Sequence, residues 1–507
     1  MPASFFLPAA FLTLFLQGGL LVERALAQAQ AVNPGAGPAF AMQGFAGLSG
    51  AASNGTWQAG GTTGGVGGAH VKVSTLSALV ACLQSPAAYV VEVLNDIDLS
   101  PLANHTGGFP AGYPVGEIMV RSNKTLFSRH GATLQRGTLR IGRPSLGPQK
   151  NIIIRNLRFR DLWVEDPAGN YDTYGWDYVH VEERSHHLWI DHCDFEKSYD
   201  GAVDMTHAAD LATVSWNVFR DLRKANLIGH NDGNAAEDTG HLNVTFHHNY
   251  YVDVHDRMPR MRFGNAHVYN LFCENLSGSG IISTANAATL VENCYFRFPR
   301  SSSKPTREEM GGFHGLLKVT GSVIENLPWN RVVFRQHGAA TFTFNAPFAA
   351  ATPPYPYHLN AVQDVPAVVK RYAGTGKLGF VFWQQDHFTP AQREDPAVSG
   401  PLAVLTADGA SNLIKYATRL GPTDLIPAAA VPTIARDAAG KPVFTYLRSP
   451  AATDLVWQVQ TSADLQHWSA AGVSQQRTAT AGAGLETWEA RSVSSAPVLY
   501  FRLAVQR

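Results

Sequence analysis

Between Trp176 and Phe272 the chain sets three aspartates, Asp177, Asp200 and Asp204, among Val, Ile, Trp and Tyr. Three spaced cations follow, Lys224, Arg257 and Arg262. The segments read WDYVHV, WIDHCDF, DGAVD, RKANLIGHND, RMPRMRFG and HVYN. A carboxylate in apolar β-type surroundings costs free energy unless a cation neutralises it. Hard oxygen ligands suit Ca²⁺ better than a transition metal. The later cations then read as partners for a negatively charged substrate. The chemistry this predicts is a calcium-assisted enzyme working on an acidic polymer.

Spacing constrains how these groups meet. Asp200 and Asp204 would lie about 13 Å apart on a straight strand at roughly 3.3 Å per residue, so the chain must bend for them to share an ion. Gly201 is where it can bend. Asp177 comes near Asp200 if one coil of a stacked fold separates them, and three carboxylates at one spot repel without a cation. In RMPRMRFG, Arg260 and Arg262 share a strand face, while Pro259 interrupts the alternation and leaves the placement of Arg257 open on geometry alone. Guanidinium forks suit carboxylates, and Lys224 offers a point charge. From Arg220 to Arg262 there are six basic and six acidic residues, so a cationic groove is a matter of arrangement and not of excess. Asp191 and His192 of WIDH read as a structural turn at a coil corner, and the histidines of HHN (247–249) as polar turn residues.

These groups need a scaffold. In 507 residues, Lys plus Arg equals Asp plus Glu at 40 each, so net charge does not select a partner class. The 46 glycines and 29 prolines favour a turn-rich β protein, and the length implies two domains or one elongated one. Residues 1–27 read as a signal peptide, apolar from 5 to 22 and ending in Ala25-Leu26-Ala27, although no Lys or Arg precedes the apolar run. A membrane anchor is the rival reading; no later stretch is apolar enough to span a bilayer. Four cysteines (Cys82, Cys193, Cys273, Cys294) show no metal-type spacing and are expected to be mostly buried free thiols.

Residues 28–68 form a Gly/Ala-rich lead-in. From Val71 short β-rich runs dominate, among them NIIIRNLRF, HLWIDHCDF, ATVSWNVF, LNVTFHHNYY, NAHVYNLF and TLVENCYF. A mark recurs in them: Asn156 before Phe159, His192 before Phe195, Asn217 before Phe219, Asn249 before Tyr250 and Tyr251, Asn270 before Phe272, Asn293 before Tyr295 and Phe296. The intervals of 36, 25, 32, 21 and 23 residues suit a parallel β-helix over 69–376, with a ladder of stacked Asn and a stack of interior aromatics. A β-sandwich or propeller is the rival architecture. Residues 377–427 read as a connecting segment and 428–507 as a small antiparallel, β-sandwich-like module.

The segment from about Val71 to Gly376 resembles the pectate lyases of polysaccharide lyase family 1. The features that match are SNKTL (122–126), NIIIRNLRF, WIDH, DG-x-x-D, K-x-x-LIG, R-x-P-x-x-R-x-G and the closing PYPYHL…AG. The resemblance implies a right-handed parallel β-helix and Ca²⁺-dependent β-elimination on pectate (polygalacturonate); the signal peptide implies secretion, and a monomer with no nucleic-acid partner is expected. It implies that Asp177, Asp200 and Asp204 hold calcium, that Lys224 and Arg262 bind substrate carboxylates, and that Arg257 takes the C5 proton. A free guanidinium keeps its proton to a pKa above about 12, so that last role needs neighbouring cations and burial to lower it. The chain departs from the family at Leu222, where histidine is common, and in the single Asn of HVYNLF. The segments DGASNLIKYATRLGP (408–422) and QTSADLQHW (460–468) fall outside it and look like appended modules. A pectin lyase working on esterified chains would lack the acidic triad; a non-catalytic β-helix polysaccharide-binding protein would not need Arg257.

Overall fold

The computed structural model describes residues 40–51, 57–494 and 499–507; the expected signal peptide and the first part of the lead-in lie outside them. Two compact units divide the described residues, one of residues 40–390 with Ala451–Asp454, the other of Ala391–Pro450 with Leu455–Arg507.

The first unit is a parallel β-helix. Among the described residues, its three parallel sheets hold ten, nine and eight strands, and each coil visits all three. One coil runs through His186–Asp191, Asp194–Glu196 and Val203–Met205, and the next opens with Asp210–Ser215, which lies on His186–Asp191 with Leu188 opposite Ala212. Side chains alternate across each strand, so Leu188, Ile190, Ala212 and Val214 enter one continuous apolar core. The helix Leu76–Gln84, capped by the Thr75 side chain, buries Leu79 and Leu83 against the same core.

The corner between the ten-stranded and nine-stranded sheets takes two residues, and the first is left-handed in coil after coil: Asn156, His192, Trp216, His248, Asn270 and Asn293 have φ between 48° and 55°. Asn and His tolerate that conformation better than most residues. Asn217 and Asn249 occupy the second corner position, one residue out of step with the expected ladder. There Asn217 Nδ2 donates to Asn249 Oδ1 (3.1 Å) and to the Ile190 carbonyl (3.1 Å), and Asn249 Nδ2 donates to the Val214 carbonyl (2.8 Å). The recurring Asn therefore answers two demands, positive φ at one position and an amide bridge between coils at the next.

The interior stack is Phe159, Phe195, Phe219 and Tyr251, with successive ring centroids 4.8, 5.1 and 4.7 Å apart. It continues by register through Cys273 to Phe296. Tyr250, Phe272 and Tyr295 face outward instead, where Phe272 and Tyr295 pack with Val365 and Val369 of the helix Val365–Tyr372. All four cysteines are free; Cys193, Cys273 and Cys294 are buried and Cys82 is partly so.

In the second unit, Thr433–Arg436, Pro442–Arg448, Glu486–Ser492 and Val473–Thr480 form a four-stranded antiparallel sheet, and Val456–Ser462 pairs antiparallel with Tyr500–Gln506. Phe444 of one sheet stacks on Phe501 of the other at 5.6 Å. Ahead of them, Lys415 Nζ, fully buried, bonds Asp408 Oδ2 at 2.5 Å and the Asp424 carbonyl, so the acid of DGASNLIK is committed to the chain's own lysine. Among the described residues no helix is long and apolar enough to cross a membrane.

Candidate active site

The site grows from the outer face of the eight-stranded sheet. Ile118, Leu139, Val179 and Val203 stack inward in register, so their neighbours Met119, Arg140, His180 and Asp204 form an outward row, one residue per coil. Asp177 precedes the strand Val179–Val181, and Asp200 precedes Val203–Met205 by a turn. With Arg257 these groups line a pocket of about 360 Å³ that also includes His180, Arg140, Asp172, Tyr174 and His230.

Asp177 and Asp204 converge above Gly201. The Gly201 N–H donates to Asp177 Oδ1 (2.7 Å), the Leu227 N–H donates to Asp204 Oδ1 (3.0 Å), and His180 Nδ1 shares a hydrogen bond with Asp177 Oδ2 (2.9 Å). A Cβ placed on Gly201 would lie 2.5 Å from Asp177 Oδ1 and 2.6 Å from Asp204 Oδ1. Gly201 is not at positive φ; what demands glycine is room for two carboxylate oxygens and not the expected bend.

Electrostatics match this geometry. Burial and the nearby Asp200 push Asp177 up to about 8. Burial and Asp177 push Asp204 well above the usual carboxylate range, with Arg257 pulling both the other way. His180 is held below its ordinary value by burial and Arg140, so at neutral pH it brings no charge to this pair. Two like-charged carboxylates in one buried cradle are tolerable only with a proton or a cation between them. Each within 2.6 Å of that one Cβ position, the two oxygens lie no more than about 5 Å apart, a separation that one ion taking oxygen ligands at roughly 2.3–2.6 Å can bridge.

Asp200 departs from this convergence. Lys224 Nζ lies 3.0 Å from Asp200 Oδ1 and also contacts Asp172 Oδ1 and the Tyr171 carbonyl. In this arrangement, among the described residues, no three Asp, Glu, His or Cys groups stand close enough to hold one metal ion. Lys224 ends the strand Val218–Lys224 and reaches the pocket through Asp200. Arg262 Nε bonds Asp232 Oδ1, and its Nη1 bonds the carbonyls of Gly229 (2.8 Å) and His230 (3.3 Å). Arg257 follows the strand Tyr250–Asp256 at φ +67°. It is half-buried, and its guanidinium makes no hydrogen bond or ion pair among the described residues, alone among the three expected cations. Four of the six residues singled out from sequence thus line one pocket, while Lys224 borders it through Asp172 and Asp200 and Arg262 through the His230 carbonyl.

Sequence reasoning passed over His180, Arg140, Asp172 and Asp232. The valines flanking His180 in WDYVHV already place it outward by alternation. Arg140, bonded to Glu117 (2.9 Å) and Glu182 (2.7 Å), was readable in the same way from TLRI. Asp172 and Asp232 sit in loops and carry no periodic signal. Leu222, where the resemblance breaks, is buried in the core opposite Val254. Asp191, on the ten-stranded sheet, is fully buried and bonds Arg155 Nε, His192 Nδ1 and Ser215 Oγ, each at 2.7 Å. Burial opposes its ionisation, but His192 and Arg155 hold its carboxyl below the usual value. It ties neighbouring coils together through side chains.

Comparison with known proteins agrees with this architecture. A pectate trisaccharide-lyase of Thermotoga maritima is 34% identical over 339 residues, 63% of this chain and 86% of that protein. A pectate lyase B of Paenibacillus amylolyticus is 30% identical over 316 residues, 49% of this chain and 78% of its own. The solved structure of the pectate lyase pelN from Paenibacillus sp. 0602 covers 66% of this chain and 95% of its own, at 23% identity and a TM-score of 0.51, a likeness of fold. The family model described as pectate lyase matches residues 36–378, the stretch that carries every group of the pocket, and by that match the chain belongs to the pectate lyase family.

Proposed function

We propose that the protein is a secreted, monomeric, Ca²⁺-dependent pectate lyase that cleaves (1→4)-α-D-galacturonan by β-elimination. The observation that carries this reading is the pairing, in one pocket, of a two-carboxylate cradle at Asp177 and Asp204 with the unpaired guanidinium of Arg257. Bound by Asp177, Asp204 and an Asp200 released from Lys224, Ca²⁺ would supply charge stabilisation for a substrate carboxylate whose α-carbon is losing a proton. Lys224 and Arg262, each now holding an aspartate, exchange it for a uronate carboxylate and so orient the sugar ring. Arg257, once its guanidinium has given a proton to solvent, accepts the C5 proton as the neutral base. The electrons of that C–H bond form the C4–C5 double bond, the C4–O bond breaks, and the departing oxygen takes a proton from solvent. The chain's contribution is orientation, together with a base held clear of competing partners.

Incubation with polygalacturonate, with and without EDTA, tests the reading through the ultraviolet absorbance of a 4,5-unsaturated product. Absorbance that rises equally in chelator rules out the calcium mechanism. Near-normal turnover by Arg257→Ala with calcium binding intact moves the base elsewhere.

A further inference from the structure

We propose a distal carboxylate-binding subsite on the same outer face, in a second cavity of about 290 Å³ lined by Arg121, Arg143, Gln84, Met119, Ser145 and Leu146. It rests on the reading above, that the enzyme acts on a polyuronate, and takes that polymer to run along this face.

Position is the first argument. Met119 belongs to the outward row that runs through Arg140 and His180 to Asp204. Met119 therefore lies three strands from Asp204, about 14 Å at roughly 4.8 Å per strand, and two from the coil of Asp177. One coil's rise is comparable with the length of a linked pyranose unit, so a chain reacting at the cradle carries another carboxylate past Arg121 a few sugars away.

Chemistry is the second. Arg121 is half-buried, and its guanidinium makes no hydrogen bond or ion pair among the described residues. Arg143 commits only Nη2, to Thr106 Oγ1 (2.9 Å) and Glu117 Oε1 (2.5 Å). Glu117 is itself shared between Arg140 and Arg143, which cancels its charge. Beside Arg121 stands Lys124, fully buried, whose Nζ donates to the carbonyls of Ser85 (2.9 Å), Ala87 (2.6 Å) and Ser122 (2.9 Å) and to no carboxylate. Glu117 is thus committed to Arg140 and Arg143, while Arg121 and Lys124 meet no carboxylate. A planar carboxylate meets the free guanidinium fork of Arg121 in the geometry that arginine favours. Arg121 lies two residues beyond Met119 of that row, and an arginine kept for solubility alone would not need the cavity.

The experiment measures kcat and KM of wild-type, Arg121→Ala and Arg121→Lys enzymes on size-fractionated oligogalacturonides, from the dimer to the octamer, and on polygalacturonate. With Arg121→Ala the expected result is a KM raised roughly ten-fold on the longer substrates, an unchanged kcat, unchanged constants on the dimer and trimer, and partial rescue by Arg121→Lys. A KM that does not move at any length overturns the subsite. Equal losses on the shortest and longest substrates overturn it too, because the effect is then structural. If the wild-type enzyme cleaves no polyuronate, the proposed activity falls, and calorimetric binding of hexagalacturonate in EDTA decides the subsite separately. Weaker binding by Arg121→Ala sustains it and equal binding overturns it.

Discussion

Gly201→Ala isolates the cation cradle from the rest of the fold. The backbone there is not left-handed, so alanine meets no conformational penalty, and in the unfolded chain the substitution favours folding by about 0.4–1 kcal/mol. The new methyl, however, arrives 2.5 Å from Asp177 Oδ1, 2.6 Å from Asp204 Oδ1 and 3.0 Å from Asp204 Cγ. Relief requires each oxygen to retreat by about 1 Å to reach ordinary van der Waals separation. Local overpacking of this kind costs about 1–3 kcal/mol, so the two terms nearly offset and the melting temperature moves by a few degrees at most. Function does not share that tolerance, because displacing a positioning group by about 1 Å costs on the order of 10²-fold in rate. The assay pairs kcat/KM on polygalacturonate with the rise in Tm on adding Ca²⁺. The expected outcome is a folded variant whose kcat/KM falls by about 10² and whose Ca²⁺-induced rise in Tm disappears. A variant that keeps both within about two-fold of wild type would refute the claim that Asp177 and Asp204 share one ion above this glycine.

Arg257→Lys keeps a positive charge but removes the positioned base, so kcat falls by about 10²–10⁴ while KM and circular dichroism stay near wild type; a loss confined to KM would make Arg257 a binding group. Asp232→Asn removes the carboxylate that holds Arg262 Nε. A part-exposed pair of this kind is worth about 1 kcal/mol or less, so KM should fall by up to roughly five-fold, and a rise in KM would show that Asp232 positions Arg262 for substrate instead of competing with it. Burial pushes His186 and His248 down to about 3, whereas an unfolded histidine titrates near 6.5. The unfolded chain thus binds more protons between those values, and stability present at pH 7 is lost as pH falls through the window, by about 1.4 kcal/mol per pH unit for each residue. Thermal melts from pH 7 to 4 check this. His186→Gln and His248→Gln should each flatten the slope, and slopes identical to wild type would contradict it.

How much of this was legible in the chain depends on which interactions leave a periodic trace. Strand alternation does: Val179 and Val181 around His180, and Val203 and Met205 around Asp204, fix which side chains face out before any coordinates exist, and the β-helix follows from the recurrence of such runs. The corner residues leave an ambiguous trace. Asn270 is chosen for its positive φ and Asn217 for its bridging amide, and spacing alone merges the two into one ladder. Loop aspartates leave none. Asp172 and Asp232 reach Lys224 and Arg262 from segments without regular structure, and nothing in NYDTYG or GHND distinguishes an acid that meets a cation from one that meets water.

The same limit explains Asp200. Its position in DG-x-x-D identifies it as a candidate ligand, but a carboxylate between Lys224 and the Asp177–Asp204 cradle has two partners of comparable attraction, and sequence does not rank them. Lys224 presents one fixed charge at 3.0 Å. A divalent ion in the cradle presents two charges, and it also relieves the burial and mutual repulsion that hold Asp177 at about 8. The choice of Asp200 is therefore coupled to the cradle's charge, and whatever draws Asp200 away leaves Lys224 with Asp172 as its one carboxylate beside the Tyr171 carbonyl; the Asp172 side chain is 63% exposed and correspondingly easy for a substrate carboxylate to displace. Cation binding and substrate binding are then linked through one lysine. Lys224→Met should remove that part of the linkage, so that trigalacturonate tightens Ca²⁺ binding less than in the wild type, only direct contact between the ion and the substrate carboxylate remaining. If trigalacturonate tightened Ca²⁺ binding in that variant as much as in the wild type, Lys224 would carry none of the coupling.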